Sequence, residues 1–267
     1  MKLTIVTVVF NDLNGLQKTV ANIMPLLNAQ TELWVIDGST NSEIADYLGT
    51  LDNPSLQWLS EPDDGLYDAM NKGVDRARGD HLIFMNAGDR FYPGFDPAAF
   101  LDHHDCAGKV VLGYSMEVFQ QDRYLRPGLG RDSNAFSSPS HQATFYPRSF
   151  YVDQRYRLDL PISADGDYTA RAIARHSAIF LPSIVCEFEL GGVSSHYGSM
   201  RVLKMRLKEG GSARALLNIA CKFALWAVLP QRLFYRALAS YKYTYYASSD
   251  LPSTPAQVAV SKPETTI

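Results

Sequence analysis

Residues 4–12 read TIVTVVFND, and this stretch sets the fold class of the chain. Its first seven residues are apolar or β-branched, which is typical of a strand buried on both faces of a parallel sheet. The pair Asn11-Asp12 then offers turn and helix-capping side chains, and Leu16 and Val20 follow at helical spacing. A strand that leads into a helix in this way predicts the first β–α unit of an α/β fold.

Strands and helices continue to alternate along roughly the next 75 residues, with the short connections that are typical of α/β units. Further strands are predicted at residues 33–36, 56–59 and 81–85, and further helices at 44–51 and 67–78. Polar clusters follow the predicted strands at Asp37-Gly38-Ser39, Glu61-Pro62-Asp63-Asp64 and Asn86-Ala87-Gly88-Asp89. Because right-handed crossovers bring the carboxyl ends of parallel strands to one edge, these clusters predict a ligand site there.

The rest of the chain is less regular. Residues 110–114 predict another strand, residues 119–149 a long connection that is either functional or mobile, with a loop at 126–139, and residues 165–176 a helix. We therefore expect three parts. They are an α/β catalytic domain at 1–199, a basic amphipathic helical extension at 200–247, and a disordered tail at 248–267, where Ser, Thr and Pro are common.

Seven segments in order resemble family 2 glycosyltransferases of the GT-A fold. They are TIVTVVFN (4–11), VIDGST (35–40), SEPDDGLYDAMNKG (60–73), FMNAGD (84–89), HQATFY (141–146), ADGD (164–167) and LGGVSS (190–195). The resemblance covers roughly residues 3–196, and within the family it is nearest to the WcaE-type enzymes of colanic acid and exopolysaccharide assembly. It implies a Rossmann-like, mixed but mainly parallel sheet flanked by helices, with a C-terminal helical extension.

The resemblance also implies roles for individual residues. Asp89 is the expected metal ligand and Asp165 the expected catalytic base. The expected contacts of the nucleotide-sugar donor are Thr7, Asp37, Asp64, Asn71, Lys72 and Asn86. Candidates for contacts with the acceptor or the diphosphate are His141, Gln142, Asp167 and His196. The chain departs from the family at Asn86-Ala87-Gly88, where many relatives carry consecutive acids.

These residue types suit sugar transfer from a nucleotide donor. The leaving diphosphate develops negative charge, which Mg²⁺ or Mn²⁺ can offset while bound by one or two carboxylates and the phosphates themselves. A second carboxylate can take the proton of the attacking acceptor hydroxyl. One base without a separate nucleophile predicts a direct displacement that inverts the anomeric centre. The structural alternative is that Asp89 and Asp165 only cap the turns at which they lie.

The charges are distributed unevenly. Residues 1–199 carry 15 Lys and Arg against 25 Asp and Glu, whereas residues 200–243 carry nine basic residues against Glu209 alone. The basic segment also contains a short apolar run, residues 216–230, that Lys222 interrupts and Pro230 ends. This combination predicts attachment to an anionic membrane surface, with packing on the domain or on a second subunit as the alternative.

Location and partners follow from these features. Three widely spaced cysteines and no convincing secretory signal predict a cytoplasmic protein, peripheral on the cytoplasmic face of the membrane. The expected partners are a nucleotide-sugar donor and a glycan or polyprenyl-diphosphate-linked acceptor. An acidic main domain argues against nucleic acid.

Two other classes of protein remain open from the sequence. A non-catalytic nucleotide-sugar-binding assembly protein would also fit the reduced acidic motif. Another Rossmann-like nucleotide enzyme, such as a nucleotidyltransferase, fits less well, because the chain has no Gly-rich, Lys-bearing phosphate loop.

Overall fold

The computed structural model describes residues 2–102, 105–126, 140–191, 199–210, 212–242 and 244–246. The strands within these ranges are β1 (Leu3–Val9), β2 (Thr31–Asp37), β3 (Leu56–Ser60), β4 (His81–Phe84), β5 (Arg90–Phe91), β6 (Val110–Phe119), β7 (Asp122–Arg126), β8 (Thr144–Pro147), β9 (Ala178–Glu189) and β10 (Thr244–Tyr246). The helices are α1 (Leu13–Ile23), α2 (Glu43–Gly49), α3 (Leu66–Arg76), α4 (Pro97–Asp102), α5 (Arg148–Tyr151), α6 (Ala164–Arg175), α7 (Met200–Glu209), α8 (Ala213–Val228) and α9 (Gln231–Lys242). The predicted α/β class is confirmed.

One sheet in the order β10-β7-β6-β8-β4-β1-β2-β3 forms the centre of the molecule. Its N-terminal part, β4-β1-β2-β3, is parallel, as the β–α alternation predicts. From β8 outward the neighbouring strands run antiparallel, and β9 pairs in parallel with β6 and antiparallel with β5. The pairing of neighbouring strands therefore changes from parallel to antiparallel at β4, the strand that leads into Asn86-Ala87-Gly88-Asp89.

Both faces of the parallel part are covered by helices. All seven residues of β1 are buried, which explains its unbroken apolar sequence. On one face α1 packs Leu16 and Val20 into the core, and on the other α3 packs Met70 and Val74. Helix α3 lies so close to β1 that a Cβ on Gly73 would come within 2.4 Å of Val6 Cγ1.

The structure differs from the sequence interpretation at three places. Strand β1 ends at Val9, and the side chain of Phe10, which the pattern assigned to the strand, is 60% exposed. The predicted long connection at 119–149 contains β7 and β8, with residues 127–139 outside the described ranges. The interpretation missed β9, whose apolar run is broken by Pro182 and whose pairing with β6 joins segments far apart in sequence.

The C-terminal extension is helical over most of its length, and Thr244–Tyr246 ends it as a strand beside β7. The buried carboxylate of Asp122 accepts hydrogen bonds from Arg232 and Arg236 at 2.7 to 2.9 Å. The rings of Tyr124, Phe234 and Tyr235 form a small buried cluster beside these ion pairs. Among the described residues, no helix combines the length and apolarity that crossing a membrane requires.

Candidate active site

The loops that follow β1 and β2 are joined at the carboxyl edge of the sheet. Asn11 has a left-handed backbone with φ of 52°, and its N–H donates to Ser39 Oγ at 2.8 Å. Its side-chain oxygen accepts from the backbone N–H of Thr40 at 3.1 Å. Asparagine tolerates this conformation better than most residues. The two loops thus form one continuous border, with the exposed ring of Phe10 beside it.

Asp37 ends β2 inside this border. Its side chain is fully buried, with one oxygen accepting from Ser39 N at 2.9 Å and the other from Ser60 Oγ at 2.7 Å. These bonds hold the Asp37 carboxylate at the junction of β2 and β3. Asp37 is therefore placed at the predicted edge, although its oxygens already have partners within the protein.

The acidic segment after β3 approaches the same border through Asp63, whereas the sequence interpretation chose its neighbour Asp64. A Cβ on Gly38 would lie 1.8 Å from Asp63 Oδ2, so the glycine is what lets this carboxylate approach the backbone. Asp64 is exposed, and its N–H donates to Asp68 at 3.1 Å. Two adjacent acids give no sequence signal as to which one points inward.

Two of the other predicted donor contacts on α3 are engaged within the protein. Asn71 exchanges two hydrogen bonds with the backbone of Tyr156, at 3.1 and 2.7 Å, and so fixes the segment before α6. Lys72 donates to Pro62 O at 2.6 Å and pairs with Glu61 at 3.0 Å. Although burial opposes it, the hydrogen bond and charge of Glu61 raise the pKa of Lys72, so its charge is kept and locally balanced.

Thr7 lies deeper than the edge. Its side chain is fully buried, and the hydroxyl donates to Met85 O at 2.7 Å, which links β1 to the end of β4. The predicted contact between Thr7 and the donor stays a prediction.

Asp89 closes a tight turn after β4. Its N–H donates to Asn86 O at 2.9 Å, and Gly88 occupies the left-handed position at φ of 95°. The turn rests on α1, because Thr19 Oγ1 donates to Asp89 O at 2.7 Å. Burial raises the pKa of Asp89 to about 7, against hydrogen bonds from Gln142 and the Asn86 backbone that lower it. The carboxylate thus lacks a countercharge strong enough to offset its desolvation.

The turn also contains an unused oxygen. Within the described ranges, the side-chain oxygen of Asn86 is buried without a hydrogen-bond partner. A carboxylate and an amide oxygen are ligands that a hard divalent cation accepts, and the donor's phosphates would supply more. The described residues contain no group of three or more His, Cys, Asp or Glu side chains that could hold a metal without such help. The residues present fit a cation that is bound together with the donor.

Asp165 lies in the first turn of α6. The hydroxyl of Tyr67, from α3, is 3.1 Å from Asp165 Oδ1 and 2.7 Å from Ile162 O. Burial and the charge of Asp165 raise the pKa of Tyr67 well above its usual value, so the phenol stays protonated and donates. Sequence reasoning did not single out Tyr67, since its partner lies 98 positions away.

Asp167 has a different environment from Asp165. It accepts from Arg171 Nε at 2.8 Å, one helical turn along α6, and Arg157 lies 3.9 Å from its other oxygen. These cations make Asp167 part of an ion-pair group on the outer side of α6. Of the two acids, Asp165 is the one whose described side-chain hydrogen bond comes from a neutral hydroxyl, whereas Asp167 pairs with arginine.

A short 3₁₀ turn at His141–Ala143 connects the two acids. Gln142 Nε2 donates to Asp89 Oδ2 at 3.1 Å. The charge of Asp165 acts on the pKa of the adjacent His141, secondary to burial. His141 is buried, burial lowers its pKa, and within the described ranges its Nδ1 has no hydrogen-bond partner. Gln142 therefore contacts Asp89, and the charge of Asp165 reaches the adjacent His141. His196 lies outside the described residues.

A cleft of about 210 Å³ opens beside the Asp89 turn. Its walls include Gly88 and Arg90, which flank Asp89, together with Arg123 and Glu187. Arg90 and Arg123 pair with the two oxygens of Glu187 at 2.8 and 3.3 Å. This polar lining offers hydrogen-bonding groups of the kind that sugar hydroxyls use.

The chain was compared with known families and proteins. The family model described as glycosyl transferase family 2 matches residues 4–173. An uncharacterized glycosyltransferase of Mycobacterium tuberculosis is 33% identical over 201 residues, which cover 72% of this chain and 77% of the relative. A PGL/p-HBAD biosynthesis glycosyltransferase of the same species is 29% identical over 187 residues, or 65% of this chain and 71% of that protein.

Solved structures show the same architecture at low sequence identity. Staphylococcus aureus TarS 1-349 in complex with UDP-GlcNAc superposes with a TM-score of 0.57 at 15% identity, covering 85% of this chain and 73% of that one. The mannosyltransferase PcManGT from Pyrobaculum calidifontis, in complex with GDP-Man and Mn²⁺, gives 0.54 at 15% identity and covers 90% and 79%. At this identity the likeness establishes the fold, and the expected GT-A architecture is confirmed.

Proposed function

This chain belongs to glycosyl transferase family 2 and is a nucleotide-sugar-dependent transferase, and on that premise we propose that it glycosylates a glycan or a lipid-linked acceptor in surface polysaccharide assembly. The observation that carries the proposal is the 3₁₀ turn at His141–Ala143. Gln142 of this turn donates to the carboxylate after β4, and the charge of the carboxylate that opens α6 acts on the neighbouring His141, which supports the proposal that both acids border one site.

The chemistry follows from these positions. The acceptor hydroxyl attacks the anomeric carbon of the donor, and Asp165 takes its proton as the new carbon–oxygen bond forms. The bond from that carbon to the phosphate oxygen breaks, and the nucleoside diphosphate leaves with the electron pair. Attack and departure on opposite sides invert the anomeric centre. Tyr67 holds the Asp165 carboxylate in place with a neutral donor, which leaves the carboxylate able to accept a proton.

Asp89 and Asn86 would hold the divalent cation, Mg²⁺ or Mn²⁺, by a carboxylate and an amide oxygen. When bound, such a cation supplies positive charge that offsets the charge of the leaving diphosphate. Gln142 orients the Asp89 carboxylate by donating to one of its oxygens, so the other oxygen can face the donor. The presence of Mn²⁺ in the PcManGT complex supports this proposal.

The nature of the donor and of the acceptor is proposed from chemistry and likeness. Complexes of two structural neighbours contain UDP-GlcNAc and GDP-Man, which supports a nucleoside-diphosphate sugar as the donor. One relative is named for the biosynthesis of PGL and p-HBAD. A sugar carried on a polyprenyl diphosphate at the cytoplasmic face of a membrane fits the basic extension as an acceptor.

Substitution of the two acids of α6 tests the mechanism. Purified protein is incubated with UDP-GlcNAc, UDP-glucose or GDP-mannose, with and without Mn²⁺, and release of the nucleoside diphosphate is measured. We expect Asp165→Asn to lower turnover by about 10²–10⁴-fold, because the general base is lost. Donor affinity, measured by calorimetry, should stay close to that of the wild type. Asp167→Asn is the matched control and should keep most of its turnover.

Two outcomes would contradict the proposal. Full turnover of the Asp165→Asn variant would exclude Asp165 as the base. A wild-type chain that binds a donor but releases no nucleoside diphosphate with any acceptor extract would favour a non-catalytic binding protein. NMR analysis of the product's anomeric configuration tests inversion directly.

Membrane attachment is proposed from the exposed face of α8. Leu217, Cys221, Leu225 and Val228 follow one another at spacings of four, four and three, so they form one stripe along the helix. All four are exposed, and Val228 reaches 76%. Residues 200–243 carry nine basic side chains and one acidic one, which matches an anionic lipid headgroup layer. We therefore propose that α8 lies in the surface of such a membrane.

Vesicle sedimentation tests this attachment. The wild type should sediment with vesicles that contain phosphatidylglycerol, more weakly at high salt, and poorly with phosphatidylcholine alone. Leu217→Ser combined with Leu225→Ser should abolish binding, whereas Leu158→Ser, an equally exposed leucine away from the extension, should not. If the stripe variant changes self-association but not sedimentation, a second copy covers the stripe and the membrane proposal is wrong.

A further inference from the structure

The single acidic residue of the extension reaches into the segment that carries the proposed base. Glu209 ends α7, and one of its carboxylate oxygens accepts from the backbone N–H groups of Ile162 at 2.6 Å and Ser163 at 2.9 Å. These two residues immediately precede α6, which begins at Ala164. The contact joins parts of the chain that are 46 and 47 positions apart.

Local forces do not account for an acid at this position. A carboxylate at the last residue of a helix faces the negative end of the helix dipole, which is unfavourable. Helix α6 in turn begins without a side-chain cap, since the Ser163 hydroxyl makes no capping hydrogen bond. An anion next to unpaired N–H groups at the start of a helix is favourable. The contact therefore satisfies two backbone N–H groups that precede α6, and it places the negative charge of Glu209 at the favourable end of that helix, which offsets its unfavourable position at the end of α7.

The peptide group between Ile162 and Ser163, whose N–H donates to Glu209, also accepts a hydrogen bond through its carbonyl oxygen. Tyr67 lies 2.7 Å from Ile162 O and 3.1 Å from Asp165 Oδ1, so its one hydroxyl proton serves both acceptors. Glu209 is close enough that its charge, after burial and the charge of Asp165, contributes to the raised pKa of Tyr67. Glu209, Ile162, Tyr67 and Asp165 form a continuous chain of contacts from the extension to the base.

We propose that Glu209 is a positioning residue for Asp165, through which the basic extension sets the geometry of the acceptor side of the active site. This inference rests on the proposed function of Asp165. It makes the extension part of the catalytic machinery in addition to its role as an attachment surface. Donor binding, which is proposed to use the loops around Asp37 and Asp89, should be largely independent of Glu209.

Kinetics of Glu209 variants test the proposal in the full-length chain. We expect Glu209→Ala to lower kcat roughly 10- to 100-fold, because small displacements of a catalytic group have effects of this size. The KM for UDP-GlcNAc or GDP-mannose, whichever the wild type uses, should change less than about threefold, as expected when only the chemical step is affected. Glu209→Gln keeps an accepting oxygen and should restore most of kcat. Glu43→Ala, which removes an exposed acid at the start of α2, is the control.

Hydrogen exchange supplies a readout that does not need turnover. The amides of Ile162 and Ser163 should exchange faster in Glu209→Ala than in the wild type, with Glu209→Gln close to the wild type. If Glu209→Ala does not fold, Glu209→Asp, which draws the carboxylate back by one methylene, should show an intermediate loss of kcat at an unchanged KM.

Three results would decide against the inference. Wild-type kcat in an active Glu209→Ala variant would overturn it while leaving the proposed function intact. An equal loss in Glu209→Gln and Glu209→Ala, or a rise in KM that parallels a lower melting temperature, would show a merely structural contact. A wild-type chain without turnover on any donor would instead contradict the proposed function itself.

Discussion

At the scale of single residues, two features of its environment set the pKa of the Asp89 carboxylate. Its carboxylate is desolvated, yet its described hydrogen-bond donors are the neutral Gln142 amide and the Asn86–Asp89 turn. A surface aspartate would remain ionised well below pH 7, whereas burial raises the pKa of Asp89 to about 7. The ionised form of the Asp89 carboxylate becomes favourable in this desolvated site once a cation is bound.

The pH dependence of stability should therefore report on Asp89. Between about pH 4 and 7 the folded chain keeps a proton on Asp89 that the unfolded chain has released, so stability falls as the pH rises through this range. The Asp89→Asn variant has no carboxyl group at this position, so it lacks this pH-dependent contribution to stability. We expect the stability of the wild type relative to the variant to fall by on the order of 1–4 kcal/mol from pH 4 to pH 8. Urea denaturation in metal-free buffer measures it, and parallel curves for the two proteins would contradict it.

Gly38 is a second residue whose identity is constrained by its surroundings, because the position that a Cβ would occupy lies against a carboxylate. Gly38→Ala would place a Cβ against Asp63 Oδ2 and force that carboxylate away from the edge. We expect loss of donor affinity by roughly tenfold or more, with at most about 1 kcal/mol of lost stability, because the end of the Asp63 side chain can move aside. Calorimetry and urea denaturation measure the two effects.

Gly49→Ala is the matched control for this prediction. A Cβ on Gly49 meets no atom within 4 Å at the end of α2, so the substitution should be neutral or slightly stabilising. Equal behaviour of the two variants would mean that the approach of Asp63 to Gly38 has no role in binding.

At the scale of elements, ion pairs with the Asp122 carboxylate of β7 hold α9 in place. Asp122 is almost fully buried and accepts from two arginines one helical turn apart, each in a bidentate arrangement. The hydrogen bonds from Arg232 and Arg236 hold the pKa of Asp122 well below its usual range. The arginines are about 40% exposed, so solvent weakens each pair, but together they give α9 a single orientation.

Asp122→Asn should loosen α9 without unfolding the sheet. We expect a loss of about 1–3 kcal/mol, because one neutral amide cannot satisfy two guanidinium groups. Because the folded-state pKa is lowered, the stabilisation is present above about pH 4 and is lost as the pH falls below that value. Limited proteolysis of the extension and thermal denaturation measure the effect.

The control for this variant removes a surface ion pair. Asp102→Asn separates Asp102 from Lys2, where both side chains are 40–50% exposed. Such pairs contribute about 0–1 kcal/mol. A loss from Asp122→Asn no larger than that from Asp102→Asn would show that the two arginine pairs do not fasten α9.

At the scale of the whole molecule, the extension is joined to the catalytic domain more closely than a separate unit would be. Val202, Phe234 and Tyr235 are buried, and Glu209 binds the start of α6. The family model ends at residue 173, so the residues that the extension contributes to these contacts lie beyond the matched range, whereas Ile162 and Ser163 lie within it. The boundary at 199 stays a prediction, and hydrogen bonds of Glu209 cross it.

Removal of residues 200–267 should therefore destabilise the remaining domain. Each buried aromatic or aliphatic side chain contributes about 1.5–3 kcal/mol, so we expect a loss of several kcal/mol and a clearly lower melting temperature. Turnover should fall further than donor affinity, since the extension contacts the base side of the site. Removal of 248–267 alone, the predicted tail, is the control. An unchanged melting temperature after the larger deletion would show that the extension is an independent unit.

The local pattern of the sequence determined the parallel half of the sheet and its edge. Strands β1 to β4 are short, apolar and followed by polar residues, and this pattern reflects burial on two faces with solvent at the carboxyl ends. The order of the motifs in the family resemblance singled out Asp37, Asp89 and Asp165, and their roles stay predictions. The sequence also placed the basic charge and the apolar run of the extension.

Only the tertiary structure decided how distant segments meet. Strand β9, the pairing of Asp122 with Arg232 and Arg236, and the contact of Glu209 with Ile162 each join residues separated by dozens of positions. Side-chain periodicity extends over one element and contains no information on such partners. Which of Asp63 and Asp64 lies against Gly38, and which of Asp165 and Asp167 pairs with Arg171, likewise depends on the neighbours that occupy the surrounding space. Packing and hydrogen bonding settle these placements when the chain folds.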